Sequence, residues 1–260
     1  MRNIKLLLSY DGSRYAGWQR QKNAPTIQQT IEEKLAAMTG SRVVLHGAGR
    51  TDAGVHALGM VANFHTASRL PVTAFFGGLN HLLPPDIRIL EASEVAADFH
   101  SRYGALGKTY CYHLFTGTVL PPVRRHYCAH IRTLFDIEPV RICLETILGT
   151  HDFSSFETAG SRDRGREGGR GGVRTIYRAT CRQTLEDAWL FSFTGDGFLR
   201  HMVRCLVGTL VKVGGGNISP EEFTAILAAG DRSRAAFTAP ACGLFLERVY
   251  YDHRPSPVGR

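Results

Sequence analysis

Apolar positions in this chain fall in short runs broken by Gly, Pro and charged residues, and the spacing inside each run separates strands from helices. Ile4 to Ser9 is an apolar run of strand length that stops at the turn sequence Tyr10-Asp11-Gly12. Thr26 with Gln29 forms a capping-box pattern behind Pro25. It opens a helix over Ile27 to Met38, with Ile27, Ile31, Leu35 and Met38 on one face. Val43 to Leu45 reads as a strand, then comes the Gly-rich loop Gly47 to Gly54, then a strand over Val61 to Phe64. Val72 to Leu83 is helical and ends at Pro84-Pro85. Ile87 to Val95 and Thr109 to Phe115 read as strands.

Pro121-Pro122 marks a connector, and the boundary between an N-terminal half, residues 1–118, and a C-terminal half, residues 119–260, is placed beside it. Asp136 is placed to cap a helix running to Leu148, while Ser154 to Phe156 carries no clear period. Arg162 to Gly172 is rich in Arg and Gly and poor in apolar residues, the composition of a mobile loop. Val173 to Leu185 and Trp189 to Thr194 form a hairpin pattern turning at Glu186-Asp187. Phe198 to Lys212 reads as a helix stopped by Gly214-Gly215-Gly216. Ser219-Pro220-Glu221-Glu222 starts another helix, to about Ala229. Leu244 to Tyr250 closes the chain as a strand. Strands and helices do not alternate strictly. The expected architecture is therefore α+β: two similar halves forming a mostly antiparallel sheet with helices packed on one face.

Composition narrows the class. Over 260 residues, 43% are hydrophobic and 21% charged, a soluble globular balance. The net charge of +8 favours a polyanionic partner, nucleic acid or an anionic membrane surface. The N-terminal apolar stretch is too short for a signal peptide, and no stretch is long enough to span a bilayer. A cytoplasmic protein without a membrane partner is expected. Cys111, Cys128, Cys143, Cys181, Cys205 and Cys242 show no C-x-x-C pair, so they read as small buried hydrophobes kept reduced.

The unusual segment is Gly47-Ala48-Gly49-Arg50-Thr51-Asp52-Ala53-Gly54-Val55-His56. Small neighbours let a backbone or a bulky ligand approach, and they leave Asp52 little side-chain cover on a loop between strands. An ionised, fixed carboxylate can act as a nucleophile, and an arginine beside it supplies both charge and direction. The plain alternative is an Asx turn, with Asp52 bonded to its own backbone. A phosphate cradle fits poorly, since neither G-K-[ST] nor G-x-G-x-x-G is present.

Gly49-Arg50-Thr51-Asp52-Ala53-Gly54-Val55-His56 resembles the signature of the TruA family of tRNA pseudouridine synthases. Further stretches resemble that family in the same order. They are Tyr10-Asp11-Gly12 with Gly17-Trp18-Gln19-Arg20-Gln21, Leu79-Asn80 with Leu83-Pro84, and Asp98-Phe99-His100-Ser101-Arg102. Lys108-Thr109-Tyr110-Cys111-Tyr112, Phe198 to Arg204 and Ala239 to Leu246 follow. The likeness spans nearly the whole chain. Met60 stands where glutamine is common and Phe245 where tyrosine is common.

The resemblance implies an isomerase that converts uridine to pseudouridine at positions 38, 39 and 40 of the tRNA anticodon arm, without cofactor or metal. It implies a homodimer and an active-site cleft between the halves. Asp52 is then the nucleophile or first base, Arg204 its ion-pair partner and Tyr110 the pocket tyrosine. Tyr112 and Tyr103 are the competing tyrosines. A paired uridine must leave the stack before it reacts, and Arg50 either fills the vacated space, holds a phosphate, or only pins its loop. Basic groups on loops supply further RNA contacts: Arg14, Arg20 and Lys22 beside Trp18, and Arg162, Arg164, Arg166 and Arg170. Trp18 is read either as a stacking ring or as core. Two rival functions are an RNA-binding protein of this fold without catalysis, and a phosphohydrolase with an aspartate nucleophile. The second lacks companion carboxylates for magnesium beside Asp52.

Overall fold

The computed structural model describes residues 1–158 and 170–255. The chain folds as two units, residues 1–106 with 245–252 and residues 107–244 with the C-terminal residues from 253. The division lies at Leu106, so the Pro121-Pro122 stretch falls inside the second unit, where Pro122–Arg124 makes a 3-10 turn.

In the first unit β1 (Arg2–Tyr10) leads to α1 (Ile27–Thr39), then β2 (His46–Gly47), β3 (His56–Thr66), α2 (Val72–Leu82) and β4 (Ile87–Val95). β1 is central, antiparallel to β3 on one side and to β4 on the other. β2 pairs antiparallel with β3, His46 facing Asn63. The α1 start follows the capping pattern: Thr26 accepts from the Gln29 amide at 3.3 Å. Ile27, Ile31 and Leu35 are fully buried on the expected face, while Met38 sits at the helix end. Burying each such side chain stabilises the unit by roughly 1.5–3 kcal/mol.

Two boundaries differ from expectation. Val43 to Leu45 is not a strand, because the Leu45 amide donates at 3.0 Å to the Glu32 carboxylate on α1 and not to a neighbouring strand. β3 starts five residues earlier than the apolar run Val61 to Phe64 suggests and ends two later. Most of it is buried on both faces, so alternation does not mark its ends.

The second unit holds β5 (Gly107–Phe115), β6 (Ala129–His130), α3 (Ile137–Thr146), β7 (Gly149–Asp152), β8 (Val173–Leu185), β9 (Ala188–Gly195), α4 (Met202–Gly214) and α5 (Pro220–Ala229). The strand order is β5-β9-β8-β7, all antiparallel, with β6 parallel to β5. The β8–β9 hairpin turns at Glu186-Asp187 as expected, Asp187 taking φ 56. Asp136 caps α3 through the Glu138 amide at 3.0 Å, and Ser219 caps α5 through Glu222 at 3.2 Å. Ser154–Phe156 is a 3-10 turn.

α4 begins at Met202 and not at Phe198. His201 adopts a left-handed conformation, φ 63, which breaks the helix, and its Nδ1 is bonded to the Thr158 hydroxyl. The last strand, β10 (Leu244–Tyr250), joins the first unit from Phe245 onward and runs parallel to β3 at His56 and Ala57. The α+β class and the mostly antiparallel pairing agree with the sequence pattern. Of the Arg/Gly-rich stretch 162–172, only Arg170, Gly171 and Gly172 lie within the described residues.

Candidate active site

In the first unit, the loop carrying Asp52 connects β2 to β3. Small residues alone would leave it loose; its order comes from the turn after β1. The Tyr10 hydroxyl meets the Thr51 hydroxyl at 2.8 Å, and the Trp18 amide donates to the Thr51 carbonyl at 3.0 Å. Gly54 donates to the Tyr15 carbonyl at 3.3 Å, and the Val55 amide closes a turn on the Asp52 carbonyl at 3.1 Å. Gly12 packs directly on this turn: a Cβ there would stand 2.0 Å from the Val55 carbonyl oxygen. Thr51 and Val55 are buried, and Asp52 between them is half-buried.

His56 secures the far end of the loop. It is almost fully buried, and its Nδ1 accepts from the Gly12 amide at 3.1 Å with the Asp11 carboxylate 3.2 Å away. Phe245 stacks on His56 with ring centroids 4.6 Å apart, an apolar contact that needs no hydroxyl at the position where tyrosine is common. Met60 is wholly buried. Sequence reasoning read Tyr10-Asp11-Gly12 as a turn and a motif, but its work as the clasp of the Asp52 loop appears only in the structure.

In the second unit, Tyr110 and Tyr112 stand two residues apart on β5 and therefore on the same face of the strand. Tyr112 is fully buried and its hydroxyl donates to the Pro240 carbonyl at 2.8 Å. Burial pushes its ionisation well above the ordinary phenol range. That is a structural tyrosine. Tyr110 is buried with its ring edge-on to Phe198 at 5.0 Å. Tyr103, the third candidate, is 75% exposed.

Arg204 stands on α4, a helix whose other residues are nearly all buried and apolar. It is half-buried. Its Nε donates to the Ala239 carbonyl at 2.7 Å, and the Ala239 amide returns a bond to the Arg204 carbonyl at 3.1 Å. Gly208, one turn along, admits this segment: a Cβ there would meet the Phe237 carbonyl oxygen at 1.9 Å. The Ala239 contact thus fixes the guanidinium through its Nε.

Comparison with known proteins decides the family. Residues 7–104 and 144–252 match the family model described as tRNA pseudouridine synthase. The chain belongs to the tRNA pseudouridine synthase family. It is 53% identical over 251 residues to tRNA pseudouridine synthase A 1 of Desulfotalea psychrophila, covering 96% of this chain and 100% of the relative. Proteins named tRNA pseudouridine synthase A from Acetivibrio thermocellus and Clostridium kluyveri are 46% and 45% identical, again over 96% of this chain and all of theirs. The resemblance read from the motifs and the isomerase class agree with this.

The basic residues expected around the site of such an enzyme differ in how they are held. Arg50 is exposed and bonds no described residue, and Lys22 is likewise exposed. Arg20 lies 3.5 Å from Glu32 and 3.9 Å from Glu33 on α1. Arg14 is bonded to Asp86, which also accepts the Tyr15 hydroxyl at 2.8 Å. Arg170 is paired with Asp196. Arg162, Arg164 and Arg166 lie outside the described residues. Trp18 is 3% exposed, so it is a core ring and not a stacking surface. Among the described residues, no cluster of His, Cys, Asp and Glu is arranged to hold a metal ion, and no helix is long and apolar enough to cross a membrane.

Proposed function

We propose that this enzyme isomerises uridine to pseudouridine in the anticodon arm of tRNA, at positions 38, 39 and 40, with Asp52 as the nucleophile or first base. The observation that supports it is the fixing of Asp52 from both sides: Thr51 is held by Tyr10 and Trp18, and Val55 closes the turn over Asp52. A carboxylate set in this way spends little entropy on reaching its reactive position.

The reaction breaks the N1–C1′ bond of uridine, rotates the base and joins C5 to C1′. The C5 proton leaves and N1 ends protonated, so atoms and electrons balance without an outside reagent. Attack at ribose C1′, attack at uracil C6 and removal of a ribose proton all require Asp52 ionised. Arg204 serves as its ion-pair partner, keeping the carboxylate charged in a partly dry site. The Ala239 contact on Nε directs the guanidinium. Tyr110 lines the uracil pocket and handles a proton through its hydroxyl. Arg50 takes the space or the phosphate of the extruded nucleotide. Lys22 and Arg20 contact phosphates, Arg20 with part of its charge already met by α1. The working form is a homodimer in the cytoplasm.

The test is tritium release. Unmodified tRNA labelled at uridine C5 is incubated with the protein and no added metal. Release is expected, and it is expected to vanish in Asp52→Ala. An RNA binder retains the tRNA without release, and a phosphohydrolase leaves the label in place. Full release by Asp52→Ala removes Asp52 from its role.

A further inference from the structure

The ring stack at His46, His100 and Tyr103 lies outside the machinery described so far. His46 and His100 have ring centroids 5.0 Å apart, and His100 and Tyr103 4.4 Å apart. The stack ends in solvent, with Tyr103 75% exposed. An exposed ring of that size is usually mobile, but this one has a rigid base. Ser101, fully buried, takes its amide to the Asn63 side chain at 2.9 Å. Its hydroxyl bonds the His46 carbonyl, and its own carbonyl accepts the Tyr251 hydroxyl at 2.6 Å. His100 Nδ1 then accepts the amides of Arg102 and Tyr103 at 3.1 and 3.4 Å, so the turn presenting Tyr103 is held by hydrogen bonds.

The groups acting on His100 are His46, Arg102 and His65, and together with burial they hold it below its usual pKa. No carboxylate is among them. Arg102 is exposed and makes no ion pair with a described residue. A buried protein partner would want apolar surface or acid–base pairing here. A nucleotide wants a ring for its base and a cation for its phosphate, and both are present. His46 also opens β2, which leads straight into the loop bearing Arg50 and Asp52.

We infer that Tyr103, backed by His100 and His46, is a stacking platform for an unpaired base of the tRNA, with Arg102 beside it for the adjoining phosphate. This rests on tRNA being the substrate. The platform orients the RNA on the same unit that carries Asp52, and it needs no base-specific hydrogen bond, because every base presents a π-face.

The test uses the full-length protein and fluorescence anisotropy with an unmodified tRNA transcript. Tyr103→Ala is expected to weaken binding about tenfold, with Tyr103→Phe and Tyr103→Trp restoring it, because stacking needs the ring and not the hydroxyl. In steady-state tritium release, the Tyr103→Ala loss should fall on KM more than on kcat. Arg102→Ala should weaken binding and lower its salt dependence by about one unit of slope. Tyr103 is on the surface, so these changes leave the fold intact, which circular dichroism checks. Wild-type affinity in Tyr103→Ala overturns the platform. So does a change in oligomeric mass by light scattering with affinity unaltered, which makes Tyr103 a subunit contact. A wild-type protein that neither binds nor converts tRNA removes the functional reading itself, and the platform with it.

Discussion

Arg204 and Ala239 hold each other by two hydrogen bonds. The Arg204 Nε donates to the Ala239 carbonyl at 2.7 Å, and the Ala239 amide donates to the Arg204 carbonyl at 3.1 Å. One bond is side chain to backbone and the other backbone to backbone, so the aim of the guanidinium is tied to the packing of residues 237–239 on α4.

Arg204→Lys therefore tests direction apart from charge. Lysine keeps the cation but has no Nε to take the Ala239 carbonyl and no fork for a carboxylate. Turnover in the tritium assay should fall about 10²-fold or more, while tRNA affinity moves only a few-fold. Equal losses in both would make Arg204 an RNA contact.

The tyrosines of β5 should separate stability from chemistry. Tyr112→Phe removes the donor to the Pro240 carbonyl and should lower unfolding stability by about 1–2 kcal/mol, with turnover largely kept. Tyr110→Phe should reduce turnover well beyond any loss of stability. The paired measurement is a urea melt and a turnover assay on each variant. A Tyr112→Phe enzyme as inactive as Tyr110→Phe would undo the assignment.

Helix starts were legible in the sequence because caps are local: Thr26, Asp136 and Ser219 each bond an amide within three residues. The start of α4 was not, because His201 is turned into its left-handed conformation beside Thr158, 43 residues away. Asp52 stood out through its small neighbours. What fixes it did not, since Tyr10 reaches Thr51 across 41 positions. Alternation puts Tyr110 and Tyr112 on the same face of β5, so it does not say which of them the core ties down. That is decided by Pro240, 128 residues from Tyr112. Arg20 shows the same gap. A basic residue near a tryptophan reads as an RNA contact, yet α1 folds Glu32 and Glu33 toward it.

Gly12→Ala should disturb catalysis through the loop. The added methyl would stand 2.0 Å from the Val55 carbonyl oxygen, so the β1 turn and the Asp52 loop must part. Strain of this kind costs about 1–3 kcal/mol. The thermal midpoint should fall and turnover should drop out of proportion to the folded fraction. Turnover that follows the folded fraction would show that the clasp serves stability alone.

Stability should decline in alkali. Burial pushes the Cys143 and Cys181 thiols from the usual 9.0 up to about 12, and Cys128 up to about 11. Above pH 9.0 the unfolded chain releases these protons while the folded chain keeps them. The stabilising contribution is therefore complete below that pH and is lost as pH rises toward about 12. Urea midpoints at about pH 8 and about pH 10.5 should differ, the second being lower. Cys143→Ala should reduce the slope between them, whatever its own cost to the core. An unchanged slope would show that the Cys143 thiol adds nothing to the decline.

The basic residues on the first unit should differ in their salt dependence. Binding that neutralises a phosphate releases counterions, so each contact adds about one unit to the slope of log affinity against log salt. Arg50 is exposed and bonds no described residue. Lys22 is exposed as well. Arg20 already faces Glu32 at 3.5 Å and Glu33 at 3.9 Å, so moving it to a phosphate exchanges one anion for another. Arg50→Ala and Lys22→Ala should each lower the slope by about one unit, and Arg20→Ala by clearly less. The measurement is tRNA affinity across a salt series for the three variants. An Arg20→Ala slope that falls as far as that of Arg50→Ala would mean that Arg20 leaves α1 for the RNA, and that the α1 carboxylates do not hold it when the substrate is bound.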